Sequence, residues 1–188
     1  MKKVILSLSI AILLAAVMPA MAQQGAMKLG PQLGYGFDAK TLGVGVKFTY
    51  SLSDQISLNP GFMYFLPKSE EMTYTDIDPI TGQLIYETQS IKTTWWELNL
   101  DGNYLFGDED ELCFYGLAGL NVTGVSVSYE ATGELDLDLS ASTTEVGVNL
   151  GGGVQYPLTD KMSGFAELKY TAASTDQLGF AAGLLFSL

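Results

Sequence analysis

From residue 27 onward the chain alternates apolar positions with polar or small ones, in blocks of roughly ten residues. A period of two marks a strand with two unlike faces. The sharpest block is the last, Gln177 to Leu188. Leu178, Phe180, Ala182, Leu184, Phe186 and Leu188 share one face; Gln177, Gly179, Ala181, Gly183, Leu185 and Ser187 share the other. Its 12 residues are too few for a spanning helix, which needs about 20. As the terminal strand it suits the closing strand of a barrel.

Seven earlier blocks follow the same rule. Strands are predicted at 27–37, 42–51, 56–66, 92–106, 112–122, 143–156 and 162–171, with 177–188 as the eighth. In the first, Met27, Leu29, Pro31, Leu33, Tyr35 and Phe37 face one way; Lys28, Gly30, Gln32, Gly34 and Gly36 face the other. Pro31 has no N–H for a ladder and implies a bulge or locally imperfect pairing. In the fourth, Trp96, Leu98, Leu100 and Tyr104 oppose Glu97, Asn99, Asp101 and Asn103. The fifth alternates so weakly that its facing stays open.

Ten residues at ~3.3 Å each, tilted near 40°, rise ~25 Å, the height of a membrane barrel's apolar band. Mean hydropathy is +0.21, yet no run after residue 22 is long and apolar enough for a membrane helix. A closed barrel reconciles the two, because only one face of each strand meets lipid. The fold class expected is therefore all-β, an eight-stranded antiparallel up-and-down transmembrane barrel. Eight is even, as bacterial single-chain barrels of this kind require.

The connections sort by parity. Three alternate ones are short, 51–55, 107–111 and 157–161, whereas 67–91 and 123–142 are long, though the first and seventh, 38–41 and 172–176, are brief as well. Short turns belong on the periplasmic side and long loops outside, which puts both termini in the periplasm. Within the long connections, alternation resumes on either side of Asp78-Pro79-Ile80-Thr81-Gly82 and of Ala131-Thr132-Gly133. Both are expected to be hairpins that carry strands three to six beyond the membrane. Tyr35, Phe37, Tyr50, Tyr64, Trp96, Tyr104, Phe106, Tyr156 and Tyr170 fall near strand ends on the apolar face, as an interfacial girdle would.

Charge completes the picture. Lys28, Lys47, Glu97, Asp101, Glu145, Glu167 and Lys169 share the small, glycine-rich face. A charge on the lipid face costs about 2–4 kcal/mol at mid-bilayer, so this face must be the lumen. Seven such groups in a narrow barrel predict a paired network plugging the interior, since eight strands leave space only for side chains. A charge-lined pore or proton path is the competing reading. Glycines on the same face make room for the long side chains.

Residues 1–22 read as a secretory signal: Lys2 and Lys3, an apolar stretch from Val4 to Val17, and an Ala20-Met21-Ala22 cleavage site. The mature domain would span 23–188. Nine Lys less the two in the leader leaves seven against 21 acids, a net charge of −14. This argues against nucleic acid. With no His there is no Ser-His-Asp triad, Cys-His dyad or His-bound zinc. No catalytic, cofactor or metal site is expected. Cys113 is the single cysteine, read as a small buried apolar residue rather than a reactive thiol.

Acids crowd the long connections: Glu70, Glu71, Asp76, Asp78 and Glu87, then Glu130, Glu134, Asp136 and Asp138. They would make an adhesive edge for a partner's strand, a cation site under lipopolysaccharide, or a solvated face that discourages aggregation. No spacing there matches a calcium loop.

The chain resembles the outer membrane protein β-barrel domain family common in Bacteroidota, related in shape to OmpA-type and opacity-type barrels. The carrying residues are the turn YSLSD from Tyr50, LNPGF from Leu58, GGGVQYP from Gly151, AELKY from Ala166, and the terminal strand. The resemblance spans 27–188. It implies outer-membrane lipid as solvent and a last strand, with Phe180, Phe186 and Leu188, read by the assembly machinery. Such barrels commonly end in Phe, where this chain has Leu188. The function expected is a structural or surface-interaction role, with an external ligand or protein at the hairpins. The alternative is a narrow channel for ions or small solutes. A lipid enzyme is weaker, since eight-stranded ones rely on His, and a soluble lipocalin-like barrel would reverse the facing.

Overall fold

The computed structural model describes residues 25–77, 84–107, 111–132 and 137–188. Eight strands follow in chain order: β1 (Met27–Gly36), β2 (Thr41–Ser51), β3 (Ile56–Ile77), β4 (Leu84–Leu105), β5 (Cys113–Thr132), β6 (Leu137–Thr159), β7 (Met162–Ala172) and β8 (Gln177–Ser187). Each pairs antiparallel with the next, and β1 pairs with β8 from Lys28↔Ser187 to Gly36↔Gly179, closing the barrel. Leu188 lies just past β8, its N–H donating to Met27 O at 2.9 Å. The leader and the turn acids Asp108, Glu109 and Asp110 lie outside the described residues, as do Asp78, Glu134 and Asp136.

The facing follows the alternation. Leu33, Val44, Phe62, Leu98, Leu120, Val146, Leu168 and Phe180 are exposed on the outer surface. Outward positions of the barrel wall carry no charge. Without water outside, an apolar outer face is the low-energy arrangement. The fifth strand resolves as well: Cys113, Tyr115, Leu117, Asn121 and Thr123 are buried inside, while Phe114, Ala118 and Leu120 are exposed. Cys113 is 1% exposed and packs with Leu105, Tyr115 and Leu117. A second apolar cluster, Met63, Phe65 and Ala181 with Trp95 against it, sits toward the opposite mouth.

Aromatics gather at both rims. Tyr104 and Phe106 meet edge to face at 5.3 Å near the short turns. Tyr35 and Phe37 do so at 5.2 Å at the other rim, and Phe62 stacks with Trp96 there.

Pro31 interrupts pairing on one side only. It pairs with Val46 of β2, but the ladder to β8 skips Gly30 and Pro31 while keeping its register. A Cβ on Gly30 would stand 1.6 Å from Leu184 O, so this glycine lets β8 approach closely where the ladder is broken. Pro60 does the same between β2 and β3, where pairing skips from Gly61 to Leu58.

The strands divide by length. β1, β2, β7 and β8 have 10 or 11 residues; β3 to β6 have 20 to 23. Pairing of β2 with β3 stops at Gly43↔Phe65, and that of β6 with β7 at Val148↔Ala172. Beyond that rim β3 to β6 continue as a four-stranded sheet, roughly 30 Å further along the strands. The long connections are thus hairpins whose strands begin well before 92 and 143 and run well past 66 and 122.

One bulge shapes the rim. The β3–β4 register shifts between Phe65 and Lys68, around Leu66 and Pro67. Below the shift Phe65 faces Trp95; above it Lys68 faces Thr93 and Glu70 faces Ile91. An extra residue in one strand reverses the facing of everything after it. Lys68 and Glu70 therefore join the inward side of the protruding sheet.

Candidate functional site

The lumen concentrates the polar groups. Lys47, Glu97, Asp101 and Glu167 are buried, and Lys169 is nearly so. Lys47 Nζ makes a close ion pair with Glu167, whose Oε2 also accepts from Tyr115 Oη at 3.1 Å. The same ammonium lies 4.5 Å from the Phe165 ring centroid and 5.6 Å from that of Tyr115. A buried ammonium between a carboxylate and two ring faces has exchanged its hydration shell for fixed partners. Lys169 Nζ approaches Asp101 Oδ2 at 3.5 Å.

An amide belt continues from Asp101. Asn149 Nδ2 donates to Asp101 Oδ1 at 2.7 Å and to Asn99 Oδ1 at 2.8 Å. Asn121 Nδ2 donates to the same Asn99 oxygen at 2.8 Å. Thr171 and Thr123 hydroxyls donate to the side-chain oxygens of Asn149 and Asn121 at 2.7 and 2.5 Å. Asn121 and Asn149 are both 0% exposed, so these bonds take the place of water.

Register explains how the groups meet. Asp101, Gly119 and Asn149 are paired across β4, β5 and β6, and the two long side chains meet over the bare middle position. Tyr115, Gly153 and Glu167 repeat the arrangement across β5, β6 and β7. A Cβ on Gly153 would lie 2.5 Å from the Tyr115 ring. The inward glycines thus make room for specific neighbours.

Of the seven charged residues placed in the lumen by alternation, five converge: Lys47, Glu97, Asp101, Glu167 and Lys169. Glu97, Glu167 and Lys169 line one cavity of about 30 Å³, with Gln32, Asn99 and Thr171. That holds about one or two waters. The other two lie apart. Lys28 opens toward the short-turn end, beside Asp160 and Ser163. Glu145 stands at the opposite rim, where its Oε2 accepts from Thr175 N at 3.1 Å. Alternation did not single out Tyr115 or Asn121, because the fifth strand had no assigned face, nor Thr123, which fell in the long connection 123–142. Gly153 opposite Tyr115 is the signal that was available. Phe180 and Phe186 are exposed on the outer face, and Leu188 is exposed beyond the strand.

Several buried polar atoms have no hydrogen-bond partner among the described residues: Ser51 Oγ, Asn103 Oδ1, Ser163 Oγ, Gln177 Oε1 and Trp95 Nε1. The last lies at the base of the protruding sheet. At that mouth Lys68 and Glu70 pair at 2.8 Å, and this ammonium holds the Glu70 carboxyl below the usual carboxylate range.

Solved structures share the architecture. The N-terminal β-barrel domain of Pseudomonas aeruginosa OprF aligns with a TM-score of 0.60 at 17% identity, covering 88% of this chain and 98% of that one. A major outer membrane protein of Thermus thermophilus gives 0.63 at 12% identity, over 87% and 99%. Ail, the attachment invasion locus protein of Yersinia pestis, gives 0.53 at 12%, over 89% and 100%. At such identities the likeness is one of fold. No curated protein sequence matches the chain. The family model for the outer membrane protein beta-barrel domain matches residues 7–186. The closed eight-stranded antiparallel barrel agrees with that match, and the chain belongs to this outer membrane β-barrel family.

Proposed function

We propose that the protein acts as a surface-interaction barrel, using the sheet of β3 to β6 that stands beyond the rim. The observation that carries this is the pair of free sheet edges, β3 from Lys68 to Ile77 and β6 from Leu137 to Gly147. The two are unlike. The β3 edge includes Lys68, Glu70, Glu71 and Asp76, the charges with which natural edges discourage strand addition. The β6 edge from Leu139 to Thr144 reads LSASTT, with no charge and no proline. Its exposed backbone suits an extended segment of a partner protein, added antiparallel.

In this reading residues 1–22 direct export, 23–188 form the mature domain, and both termini lie in the periplasm. The outward Phe180 and Phe186, with Leu188, present the last strand to the assembly machinery. The filled lumen is a rigid plug: the Lys47–Glu167 and Lys169–Asp101 pairs and the amide belt leave a cavity fit only for about one or two waters. The protein is read as a binder rather than an enzyme.

The test compares intact protein with a variant whose hairpins are cut back to the rim, removing 70–89 and 126–141. Partner capture from the organism's surface environment should be lost, while heat-modifiable gel migration persists. Capture by the trimmed barrel would refute the reading. The alternative, a narrow channel through that small polar cavity, predicts steady unitary currents in planar bilayers; silence there removes it.

A further inference from the structure

The bulge at Leu66 and Pro67 creates a second feature. By turning Lys68 and Glu70 inward, it places them around a cavity of about 240 Å³ at the mouth. Leu66, Ile91 and Trp95 supply apolar wall; Asp38 from the β1–β2 connection and Thr41 at the start of β2 also line it, with Thr93. This is the composition of a small-molecule site, an aromatic and aliphatic surface with a few convergent polar groups.

The polar groups narrow the ligand. Trp95 contributes ring surface to the wall, while its indole N–H is sealed from the cavity. Lys68 donates, Glu70 accepts, and the Thr93 hydroxyl does either. Asp38 already accepts from Leu178 N at 2.9 Å through one oxygen. Lys68 and Glu70 neutralise each other at 2.8 Å. The lining carries both signs, Lys68 against Glu70 and Asp38, so a charged ligand of either sign meets a like charge as well as an opposite one. An uncharged ring bearing hydroxyls meets neither penalty: its C–H face lies on the Trp95 and Leu66 surface and its hydroxyls find donors and acceptors.

We infer that this mouth pocket binds a single uncharged sugar ring, presented by an external glycan. The inference rests on the proposal that the protruding sheet faces outward, but binding itself is measured without reference to sidedness.

The experiment uses full-length mature protein in phosphocholine nanodiscs, which contain no sugar headgroup. Saturation-transfer NMR is recorded with galactose, mannose and N-acetylglucosamine, and in parallel with glucuronate and free lysine. At least one neutral sugar should give a saturable signal. Lys68→Gln and Glu70→Gln, both at exposed positions, should each weaken it roughly tenfold, the effect of losing one hydrogen bond to a charged group. Trp95→Ala, which removes the ring surface, should weaken it too, whereas Trp96→Ala, on the outer face, should leave it unchanged. The inference fails if no neutral sugar binds, if glucuronate or lysine binds instead, or if the Lys68, Glu70 and Trp95 variants bind as the parent does. Trimming only the β5–β6 hairpin, residues 126–141, which supplies no wall of the pocket, should abolish partner capture and spare the sugar signal. Loss of either result alone therefore identifies which proposal is wrong.

Discussion

Asp101 reaches Asn149 because the residue between them, Gly119, has no side chain. A Cβ at Gly119 would stand 2.4 Å from both Asp101 Oδ1 and Leu100 O. The carboxylate can swing away, but the Leu100 carbonyl is fixed in the β4–β5 ladder. Gly119→Ala is therefore expected to destabilise the barrel by about 1–3 kcal/mol, the usual cost of overpacking, read as a lower urea midpoint for the heat-modifiable band. The Lys47–Glu167 pair sets a larger effect. Lys47→Met leaves a buried carboxylate without its cation, and breaking such a pair costs about 3–5 kcal/mol. Lys47→Met combined with Glu167→Gln should recover a substantial part of that loss, with Tyr115 still donating to the new amide. Equal urea midpoints for the single and double variants would show that burial of unpaired charge is not the cause. At this scale alternation was a good guide where the two faces differ in polarity, as at Glu97 and Asp101 against Leu98 and Leu100. It failed at Tyr115 and Asn121. Cys113 and Leu117 are apolar and inward while Gly116 and Ala118 are small and outward, so neither size nor polarity separates the faces of β5.

Strand boundaries at the short-turn rim were legible because membrane and solvent impose different rules on successive stretches. Those of β3 to β6 beyond the opposite rim were not. Beyond the rim both faces of β3 to β6 meet water, so the apolar marking stops at Leu66 while the hydrogen-bonded ladder continues to Ile77. Thr, Tyr and Ser alternating in 72–77 and 84–90 were the remaining sign, and they support hairpins without fixing their length. The bulge was hidden for another reason. A period-two reading assumes constant register, and Pro67 marks a discontinuity without saying that Lys68 and Glu70 change sides. The β1–β8 closure is the element most exposed to a single change. Gly30 faces the Leu184 carbonyl where Pro31 has already interrupted the ladder. Gly30→Val should block closure, so that most refolded protein runs at the unfolded position on unheated gels. Gly25→Val, where a Cβ meets nothing within 4 Å, serves as the comparison and should close. Gly25 has φ of 107°, so a slight loss of order at that terminus is expected without loss of the barrel.

For the whole molecule, orientation is what links architecture to function. The short turns, the start of β1 and the end of β8 lie at one end of the barrel, and the protruding sheet lies at the other. A protein with no charge on its wall and a net charge of −12 over the full chain has its acids confined to lumen and ends. Placement of the protruding sheet outside the cell is what the proposed surface role requires. Cysteine labelling decides this cleanly, because the single native thiol, Cys113, is 1% exposed and should not react in the folded barrel. Thr73→Cys places a thiol on the exposed part of β3 beyond the rim; Asp160→Cys places one in the two-residue turn between β6 and β7. In intact cells a membrane-impermeant maleimide should modify Thr73→Cys and leave Asp160→Cys and the parent unlabelled. After outer-membrane permeabilisation Asp160→Cys should label as well. The reverse pattern would put the protruding sheet in the periplasm, removing both the surface-interaction role and the external glycan while leaving the closed barrel as described.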